Sequence, residues 1–305
     1  MTTLKGLGTA LITPFMQDGS IDFYALKRLL DKQIAGGVDY IVVLGTTGEA
    51  ATMTESEKAQ VRNFVRDYVA GRVTLVLGVG GNNTAAVCEQ LQSIDLTGYS
   101  AILSVCPYYN KPSQEGLFRH FCAIAEASPL PVILYNVPGR TGVNLLPETV
   151  MRIYNAHPDK IIGIKEASGN LEQIKRLISL TGEAGLTAKR SVSEAVCQRS
   201  GLLVISGDDG LAADIMQAGG AGLISVLSNA LPEQTAQLVR TADSNLQAQL
   251  NPLIALLFKE GNPAGIKTAL SLMGLIDNNL RLPLVPNSAA VQAEIQNILQ
   301  QMHIL

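Results

Sequence analysis

The chain has 305 residues, of which 47% are hydrophobic and 16% are charged, and its formal net charge at pH 7 is −3. This length suits one α/β barrel of about 250 residues with an appended segment as well as it suits two average domains. The slightly acidic charge argues against a nucleic-acid surface, and no apolar run approaches the ~18 residues that a membrane helix needs. Since the N-terminus also lacks a secretory signal pattern, we expect a cytoplasmic protein.

Short β-forming segments recur along the chain, and each is followed by a segment with helical periodicity. Their ends lie roughly thirty residues apart, a spacing typical of repeated strand-and-helix units around a parallel barrel. The pattern predicts eight strands, at Gly8 to Thr13, Tyr40 to Leu44, Thr74 to Leu77, Ala101 to Val105, Val132 to Tyr135, Ile161 to Lys165, Leu202 to Ser206 and Gly222 to Ser225.

Capping residues mark the starts of three of the intervening helices. The sequence Thr54-Glu55-Ser56-Glu57 forms a capping box, while Ser113 and Asn170 each precede apolar residues at helical spacing. After Ser225 the remaining chain reads as helices only, interrupted near Gly261-Asn262-Pro263 and between Arg281 and Pro286. We therefore predict a (β/α)8 TIM barrel over residues 1–225 and a helical C-terminal region over residues 226–305.

The cysteines and histidines do not form a metal-binding pattern. Cys88, Cys106, Cys122 and Cys197 include no C-x-x-C pair, and the three histidines are not arranged as H-x-x-x-H or H-E-x-x-H. The Asp208-Asp209 pair has no further acidic partner in sequence, and capping of the next helix explains one of the two better than magnesium binding does. We expect free buried thiols and no metal site.

Lys165 closes an apolar predicted strand, IIGIK, where a barrel places its reactive groups. In isolation such a lysine could extend its charge to solvent. At the mouth of a barrel it can instead act as an amine nucleophile toward a carbonyl, with Tyr135 on the neighbouring strand as the acid and base. For Tyr135 a buried structural role is the alternative.

Two further strand-end loops carry groups suited to carboxylates. The Gly45-Thr46-Thr47-Gly48-Glu49 loop offers hydroxyls and backbone N–H groups, although a tight corner would explain it equally. Arg140 lies in a loop stiffened by a proline, and its guanidinium can pair with a carboxylate or form a surface salt bridge. The Gly78 to Asn83 loop does not have the spacing of a nucleotide-binding loop and is interpreted as a turn.

Together these motifs resemble the dihydrodipicolinate synthase family, which is related to N-acetylneuraminate lyase and other pyruvate-dependent class I aldolases. The resemblance rests on seven segments in order, GTALITPF (8–15), GTTGE (45–49), PYYNKPSQEGL (107–117), YNVPGRTG (135–142), GIKEASGN (163–170), SGDD (206–209) and NPAGIK (262–267). They span the chain and are specific in this spacing.

The resemblance implies that Lys165 forms a Schiff base with pyruvate, whose enamine attacks L-aspartate 4-semialdehyde to give 4-hydroxy-tetrahydrodipicolinate, on the route to diaminopimelate and lysine. It assigns the proton transfers to Tyr135, with Thr46 relaying them to Tyr109, and the pyruvate carboxylate to Thr47. Gly207 and Ile224 would offer backbone carbonyls near the substrate. No metal or organic cofactor is implied.

The resemblance also implies an oligomer. Tyr109 is expected to enter the active site of a second subunit, within a homotetramer built from two dimers. Effector lysine is expected to bind weakly or not at all, because Ala86 replaces a glutamate of the lysine-sensitive members and Glu55 and Lys58 lie where some of them have histidine.

Arg140 separates the synthases from their relatives, since it matches the arginine that holds the carboxylate of the aldehyde substrate. The alternatives are a sibling aldolase acting on a 2-keto-3-deoxy sugar acid or N-acetylneuraminate, a keto-acid-sensing barrel without catalysis, and a phosphate-binding isomerase. A phosphate-binding isomerase would need a phosphate-binding site near the last strands, where the two aspartates of SGDDG would repel a phosphate.

Overall fold

A closed barrel of eight parallel strands forms the centre of the molecule. The computed structural model describes the backbone of residues 4–190 and 201–305 and the side chains of residues 4–182 and 201–305. Each strand pairs with the next in chain order, and the last pairs with the first. The strands are β1 (Gly6–Ala10), β2 (Tyr40–Val43), β3 (Thr74–Gly78), β4 (Ala101–Val105), β5 (Val132–Asn136), β6 (Ile161–Glu166), β7 (Leu203–Ser206) and β8 (Gly222–Ser225).

Helices surround the barrel and continue beyond it. They are α1 (Phe23–Ala35), α2 (Glu55–Val69), α3 (Thr84–Ser93), α4 (Gln114–Ala127), α5 (Pro138–Thr141), α6 (Pro147–Ala156), α7 (Leu171–Arg190), α8 (Ala212–Gln217), α9 (Pro232–Thr241), α10 (Ser244–Lys259), α11 (Ala264–Leu272) and α12 (Ala289–Gln301). α9 packs on β1 and β8, whereas α10, α11 and α12 pack on one another. The predicted (β/α)8 barrel with a C-terminal helical appendage is therefore confirmed, while the boundary at residue 225 stays a prediction.

The predicted caps are present. Thr54 and Glu57 form the reciprocal hydrogen bonds of a capping box at the start of α2. The Ser113 side chain accepts from the Gly116 N–H at the start of α4, and Asn170 Oδ1 accepts from the Gln173 N–H, 3.1 Å away, at the start of α7. Local sequence therefore determines where these helices begin.

The first predicted strand ends too late. β1 stops at Ala10, although the apolar run continues and Leu11 and Ile12 are buried. The Leu11 N–H still donates to the Val42 carbonyl of β2, 3.1 Å away, but the Ile12 N–H donates to the side-chain Oδ1 of Asn229, 3.1 Å away. A buried side chain more than two hundred positions away thus replaces the sheet partner, so periodicity alone placed the end wrongly.

Two apolar cores result from the alternation of side chains along the strands. Ile41 and Val43 face the helices, while Tyr40 and Val42 fill the barrel interior. Gly8 leaves room for the Tyr40 ring, since a Cβ at this glycine would collide with it. Side chains therefore fill the barrel interior below the mouth, and a site can form only at the carboxyl ends of the strands.

Within the described residues, no helix is long and apolar enough to cross a membrane. The cysteines that fall within that part, Cys88, Cys106 and Cys122, are free thiols, and Cys197 lies outside the described residues.

Candidate active site

Lys165 points into the barrel because β6 contains a register irregularity. Ile161 and Ile164 both face the helices, which strict alternation along a strand forbids. The irregularity lies between Val132 and Ile133 on β5, where the pairing partner on β6 jumps from Ile161 to Gly163. A shift of one residue exchanges the two faces of a strand, so Lys165 is turned inward and its neighbours outward.

The Lys165 side chain is buried against Tyr135. Its exposed fraction is 6%, and its Nζ lies 4.5 Å from the centroid of the Tyr135 ring. Tyr135 is paired with Lys165 across the β5–β6 register and is itself buried. Lys165 makes no ion pair with any described residue. The amine is therefore held in a poorly solvated place without a neutralising carboxylate, next to a phenol.

The adjacent Glu166 faces away from this amine, as predicted from strand alternation. Its carboxylate accepts from Asn136 Nδ2 at 2.9 Å, from the Ser168 N–H at 2.8 Å and from Gln173 Nε2 at 3.3 Å. Burial raises the pKa of Glu166, and these hydrogen bonds oppose that rise. Its charge is thus satisfied between the sheet and the helices rather than at the barrel mouth.

Gly207 provides space for the lysine. A Cβ at this position would lie 2.9 Å from Lys165 Cε and 3.1 Å from its Cγ. The Gly207 N–H donates to the carbonyl of Glu166, 2.7 Å away, which extends the β6–β7 pairing to the mouth. The predicted site glycine is therefore in contact with the nucleophile, while its predicted carbonyl role stays a prediction.

The Gly45 to Glu49 loop forms a short 3-10 turn over Thr46–Gly48. Thr47 is buried, and its hydroxyl accepts from Asn262 Nδ2 at 2.9 Å. The Thr13 hydroxyl donates to the carbonyl of Gly48 at 2.8 Å. Both hydrogen bonds fix the loop that carries the predicted carboxylate-binding threonines.

Asn262 also contacts the second predicted carboxylate group. Arg140 lies on α5 and is exposed, and one of its terminal nitrogens donates to the Asn262 carbonyl, 3.1 Å away. Asn262 therefore links Thr47 to Arg140 across the mouth. No role was predicted for Asn262 from the sequence, although it begins the NPAGIK segment on which the family resemblance partly rests.

A cavity of about 380 Å³ opens between these elements. Thr46, Leu103, Tyr135, Val137, Arg140 and Thr141 are among its lining residues. Ile224, another predicted site residue, is buried in the barrel-interior cluster that also contains Tyr135. Thr46, Tyr135 and Arg140 thus line one cavity, and Lys165 lies against Tyr135. The roles predicted for these residues, and for Thr47, Gly207 and Ile224, stay predictions.

Tyr109 is placed differently. Its side chain is 88% exposed, its backbone φ is 76°, and it does not line the cavity. Its N–H donates to the carbonyl of Thr141 at 3.3 Å, which fixes the backbone while the ring projects from the surface. Its role in the active site of a second subunit stays a prediction.

The acidic pair after β7 has structural partners. Asp208 caps the short 3-10 helix that follows, and the buried Asp209 accepts from the Ser225 hydroxyl and from the N–H groups of Val226 and Leu227. Burial raises the pKa of Asp209, which these hydrogen bonds oppose. No cluster of metal-ligating side chains occurs in the part of the chain that the structure describes.

Fold and site together define a (β/α)8-barrel enzyme with a buried lysine amine at the carboxyl end of its sixth strand. The model of the dihydrodipicolinate synthetase family matches residues 3–302, and the chain belongs to this family. It is 46% identical to the 4-hydroxy-tetrahydrodipicolinate synthase of Parabacteroides distasonis, covering 99% of this chain and 98% of the relative.

Solved structures agree. The dihydrodipicolinate synthase of Thermotoga maritima shares 39% identity with a TM-score of 0.90, over 99% of both chains. That of Acinetobacter baumannii, described as chloride-inhibited and complexed with pyruvate, shares 37% identity with a TM-score of 0.90, over 99% of this chain and 100% of the other. The predictions of family, barrel fold and lyase activity as a 4-hydroxy-tetrahydrodipicolinate synthase are therefore confirmed.

Proposed function

We propose that Lys165 forms a Schiff base with pyruvate and that the resulting enamine attacks L-aspartate 4-semialdehyde. The observation that carries this assignment is the buried ammonium site of Lys165, which faces Tyr135 and has no carboxylate partner among the described residues. An amine with no carboxylate against it is free to attack a carbonyl, whereas an ion-paired lysine is held by its partner. The pyruvate complex of the Acinetobacter baumannii relative supports the choice of keto acid.

The first stage builds the nucleophile. The Lys165 amine attacks C2 of pyruvate and gives a carbinolamine, which loses its hydroxyl as water to form the imine. Tyr135 removes the proton from nitrogen and delivers one to the departing hydroxyl, with Thr46 as the relay. Thr47 and its loop N–H groups bind the pyruvate carboxylate, which fixes C2 close to the amine.

The second stage forms the carbon–carbon bond. Loss of a proton from C3 converts the imine into an enamine, whose C3 attacks the aldehyde carbon of L-aspartate 4-semialdehyde while the aldehyde oxygen takes up a proton. Arg140 binds the carboxylate of this second substrate as a planar, bidentate donor. The substrate amine then attacks C2, closes the ring and displaces Lys165, which regenerates the free enzyme.

Arg140 is the group that favours this substrate over a sugar acid. It lines the cavity, and one of its terminal nitrogens donates to the Asn262 carbonyl. A guanidinium held in this way suits a second carboxylate better than a row of hydroxyls. We further propose a cytoplasmic homotetramer of two dimers, in which the exposed Tyr109 of each subunit completes the proton relay of its dimer partner.

Reduction by borohydride in the presence of pyruvate tests the nucleophile. We expect one peptide, the one containing Lys165, to gain the elements of pyruvate less one oxygen atom. Lys267 is an internal control, because it is also buried but is paired with Glu49. Labelling at any lysine other than Lys165 would overturn the proposed mechanism.

Substrate choice is tested separately on the unmodified enzyme. With pyruvate present, we expect consumption of L-aspartate 4-semialdehyde and no reaction with 2-keto-3-deoxygluconate or N-acetylneuraminate. Arg140→Met should weaken use of the semialdehyde while leaving borohydride labelling of Lys165 by pyruvate intact. Equal turnover of a sugar acid would assign the chain to a sibling activity instead.

A further inference from the structure

Glu49 has a backbone conformation that residues with a side chain rarely adopt. It ends the 3-10 turn Thr46–Gly48 with φ 55° and ψ 31°, in the left-handed region. Glycine takes this conformation without steric cost, whereas a residue with a Cβ is strained there. A glutamate at this position therefore indicates that its side chain makes contacts that outweigh the strain.

The Glu49 carboxylate is buried and held at both oxygens. Its exposed fraction is 3%, its Oε1 contacts the Lys267 ammonium, and its Oε2 accepts from the Arg281 N–H at 3.1 Å. Lys267 lies on α11, and Arg281 lies between α11 and α12. Both partners thus come from the C-terminal region, far from Glu49 in the sequence.

The turn before Glu49 is attached to the same C-terminal region at a second point. The Thr47 hydroxyl accepts from Asn262 Nδ2 at 2.9 Å, and Asn262 belongs with Lys267 to the NPAGIK segment. Thr46, by contrast, is exposed and lines the cavity. One side of the turn is therefore fixed to the protein while the other side is open to a ligand.

The pairing with Lys267 also removes an electrostatic conflict. An uncompensated carboxylate next to a loop that binds a carboxylate would repel the substrate. The Lys267 ammonium lies against Glu49, and both side chains are buried. Glu49 can thus hold the turn without adding a net negative charge beside it.

We propose that Glu49 is a positioning residue for pyruvate, which acts through the turn and does not touch the substrate. This role rests on the proposed function, in which Thr47 and the loop N–H groups bind the pyruvate carboxylate. The contacts of Glu49 with Lys267 and Arg281 keep its backbone left-handed, and the turn therefore has its binding shape before pyruvate arrives. Pyruvate then does not bear the cost of ordering the turn.

The pyruvate concentration that half-saturates borohydride labelling of Lys165 measures this role without turnover. Glu49→Ala removes both side-chain contacts, and we expect this concentration to rise at least about 10-fold. The KM for L-aspartate 4-semialdehyde should stay within about 2-fold of the parent, because Arg140 binds that substrate.

Two further substitutions separate positioning from stability. Glu49→Gln keeps an oxygen that can accept from the Arg281 N–H, so its half-saturating pyruvate concentration should stay within about 3-fold of the parent. Glu49→Gly relieves the backbone strain and should unfold at a higher urea concentration than Glu49→Ala. It should nevertheless bind pyruvate no more tightly than Glu49→Ala, because it lacks the same contacts.

Glu57→Gln is the matched control. It removes the acidic partner of the Arg281 guanidinium but leaves the contacts of Glu49 in place. Its half-saturating pyruvate concentration should stay within about 2-fold of the parent. Thermal unfolding verifies that each variant is folded.

The outcomes distinguish this role from the proposed function. If Lys165 is labelled, an unchanged half-saturating concentration in Glu49→Ala would refute the positioning role alone. Parent-like affinity in Glu49→Gly, or affinity in Glu49→Gln as weak as in Glu49→Ala, would refute it as well. Failure to label Lys165 in the parent would overturn the proposed function and the positioning role together.

Discussion

Two buried lysines of this chain have opposite surroundings. Lys165 lies at the barrel mouth with its Nζ 4.5 Å from the Tyr135 ring, and Lys267 lies on α11 with its Nζ 4.2 Å from the Phe15 ring. Lys267 is fully buried, forms an ion pair with Glu49 and donates to the Asn279 carbonyl at 3.0 Å. Lys165 has an aromatic neighbour but no acid.

The two lysines differ in the position of the nearest glutamate in each case. Glu166 follows Lys165 directly and is bound on the outer side of the sheet, whereas Glu49 ends the threonine loop and points to Lys267. Burial lowers the pKa of Lys267 to about 8, and the nearby Glu49 opposes that shift. A buried lysine therefore becomes a nucleophile or a structural cation according to its counter-ion, and burial alone does not distinguish the two.

Removing Lys165 should give the largest effect. We expect Lys165→Met to lower kcat by on the order of 10⁴-fold or more, because no other group can form the imine. Its free energy of unfolding should be unchanged or higher, since an apolar chain replaces a buried charge. Steady-state kinetics and urea unfolding measure the two quantities. A clear loss of stability would contradict the contrast between the two lysines.

Removing Lys267 should reverse this pattern. Lys267→Met leaves the Glu49 carboxylate buried and unpaired, so we expect a loss of about 3–5 kcal/mol in the free energy of unfolding. Replacing both partners, Lys267→Met with Glu49→Gln, should recover roughly 1–3 kcal/mol of it. Borohydride labelling at Lys165 should persist in the folded variants. A double variant no more stable than Lys267→Met would show that the pair is not coupled.

Asn262 connects the two regions, since it contacts Thr47 and Arg140 and precedes the helix that carries Lys267. Asn262→Ala removes the hydrogen bond to Thr47, and we expect the KM for pyruvate to rise about 10-fold, the equivalent of ~1.4 kcal/mol. Asn251→Ala, on α10 and away from the mouth, is the control. An unchanged KM would mean that the loop holds its shape without Asn262.

The network around Lys267 also predicts an acid-sensitive contact. Arg281 binds Glu57 and lies 4.4 Å from the Phe15 ring, and its hydrogen bonds lower the pKa of Glu57 from 4.5 to about 2. Because the folded pKa is depressed, the stabilisation is complete above pH 4.5 and is lost as the pH falls toward 2.

Glu57→Gln should therefore cost about 1–2 kcal/mol at neutral pH and progressively less in acid. Urea unfolding of parent and variant across this pH range measures the difference. Glu172→Gln is the control, because Glu172 is an exposed partner of Lys175 on α7. Curves that stay parallel from neutral pH to pH 3 would contradict the assignment to Glu57.

Free L-lysine, added as an effector, should have the smallest effect. Lys58 and Arg62 place two cations where an effector lysine would have to bring its own ammonium groups. We expect millimolar L-lysine to change the initial rate by less than about 2-fold, since repulsion opposes the binding of a cation there. Strong inhibition in a steady-state assay would rule this out.

Much of the fold was predictable because its signals are local. Strand ends at Val105 and Ser225 and helix caps at Thr54, Ser113 and Asn170 follow from residues within a few positions of each other. The end of β1 was not predictable, because it depends on a hydrogen bond between Ile12 and Asn229, which lie far apart in the sequence. Local patterns fix where elements form, and distant side chains fix where some of them end.

The site divides in the same way. Lys165 and Tyr135 lie at the carboxyl ends of their strands and Arg140 lies just beyond one, so their grouping follows from the barrel itself. The Lys267–Glu49 pair and the two contacts of Asn262 join residues from separate elements, and no spacing in the sequence reveals them. The family resemblance supplied roles for the first group only.

The irregularity in the pairing of β5 and β6 also has a consequence for engineering. Successive side chains of a strand point to alternate faces of the sheet. The one-residue register shift reverses the face that the later residues of β6 would otherwise occupy. If Ile162 were instead paired with Ile133 in regular register, Glu166 would face the barrel mouth and Lys165 would face the helices, whereas deleting Ile162 should restore regular pairing and keep Lys165 opposite Tyr135. A single extra residue in β6, before Lys165 and Glu166, thus determines whether a positive or a negative side chain faces the barrel mouth.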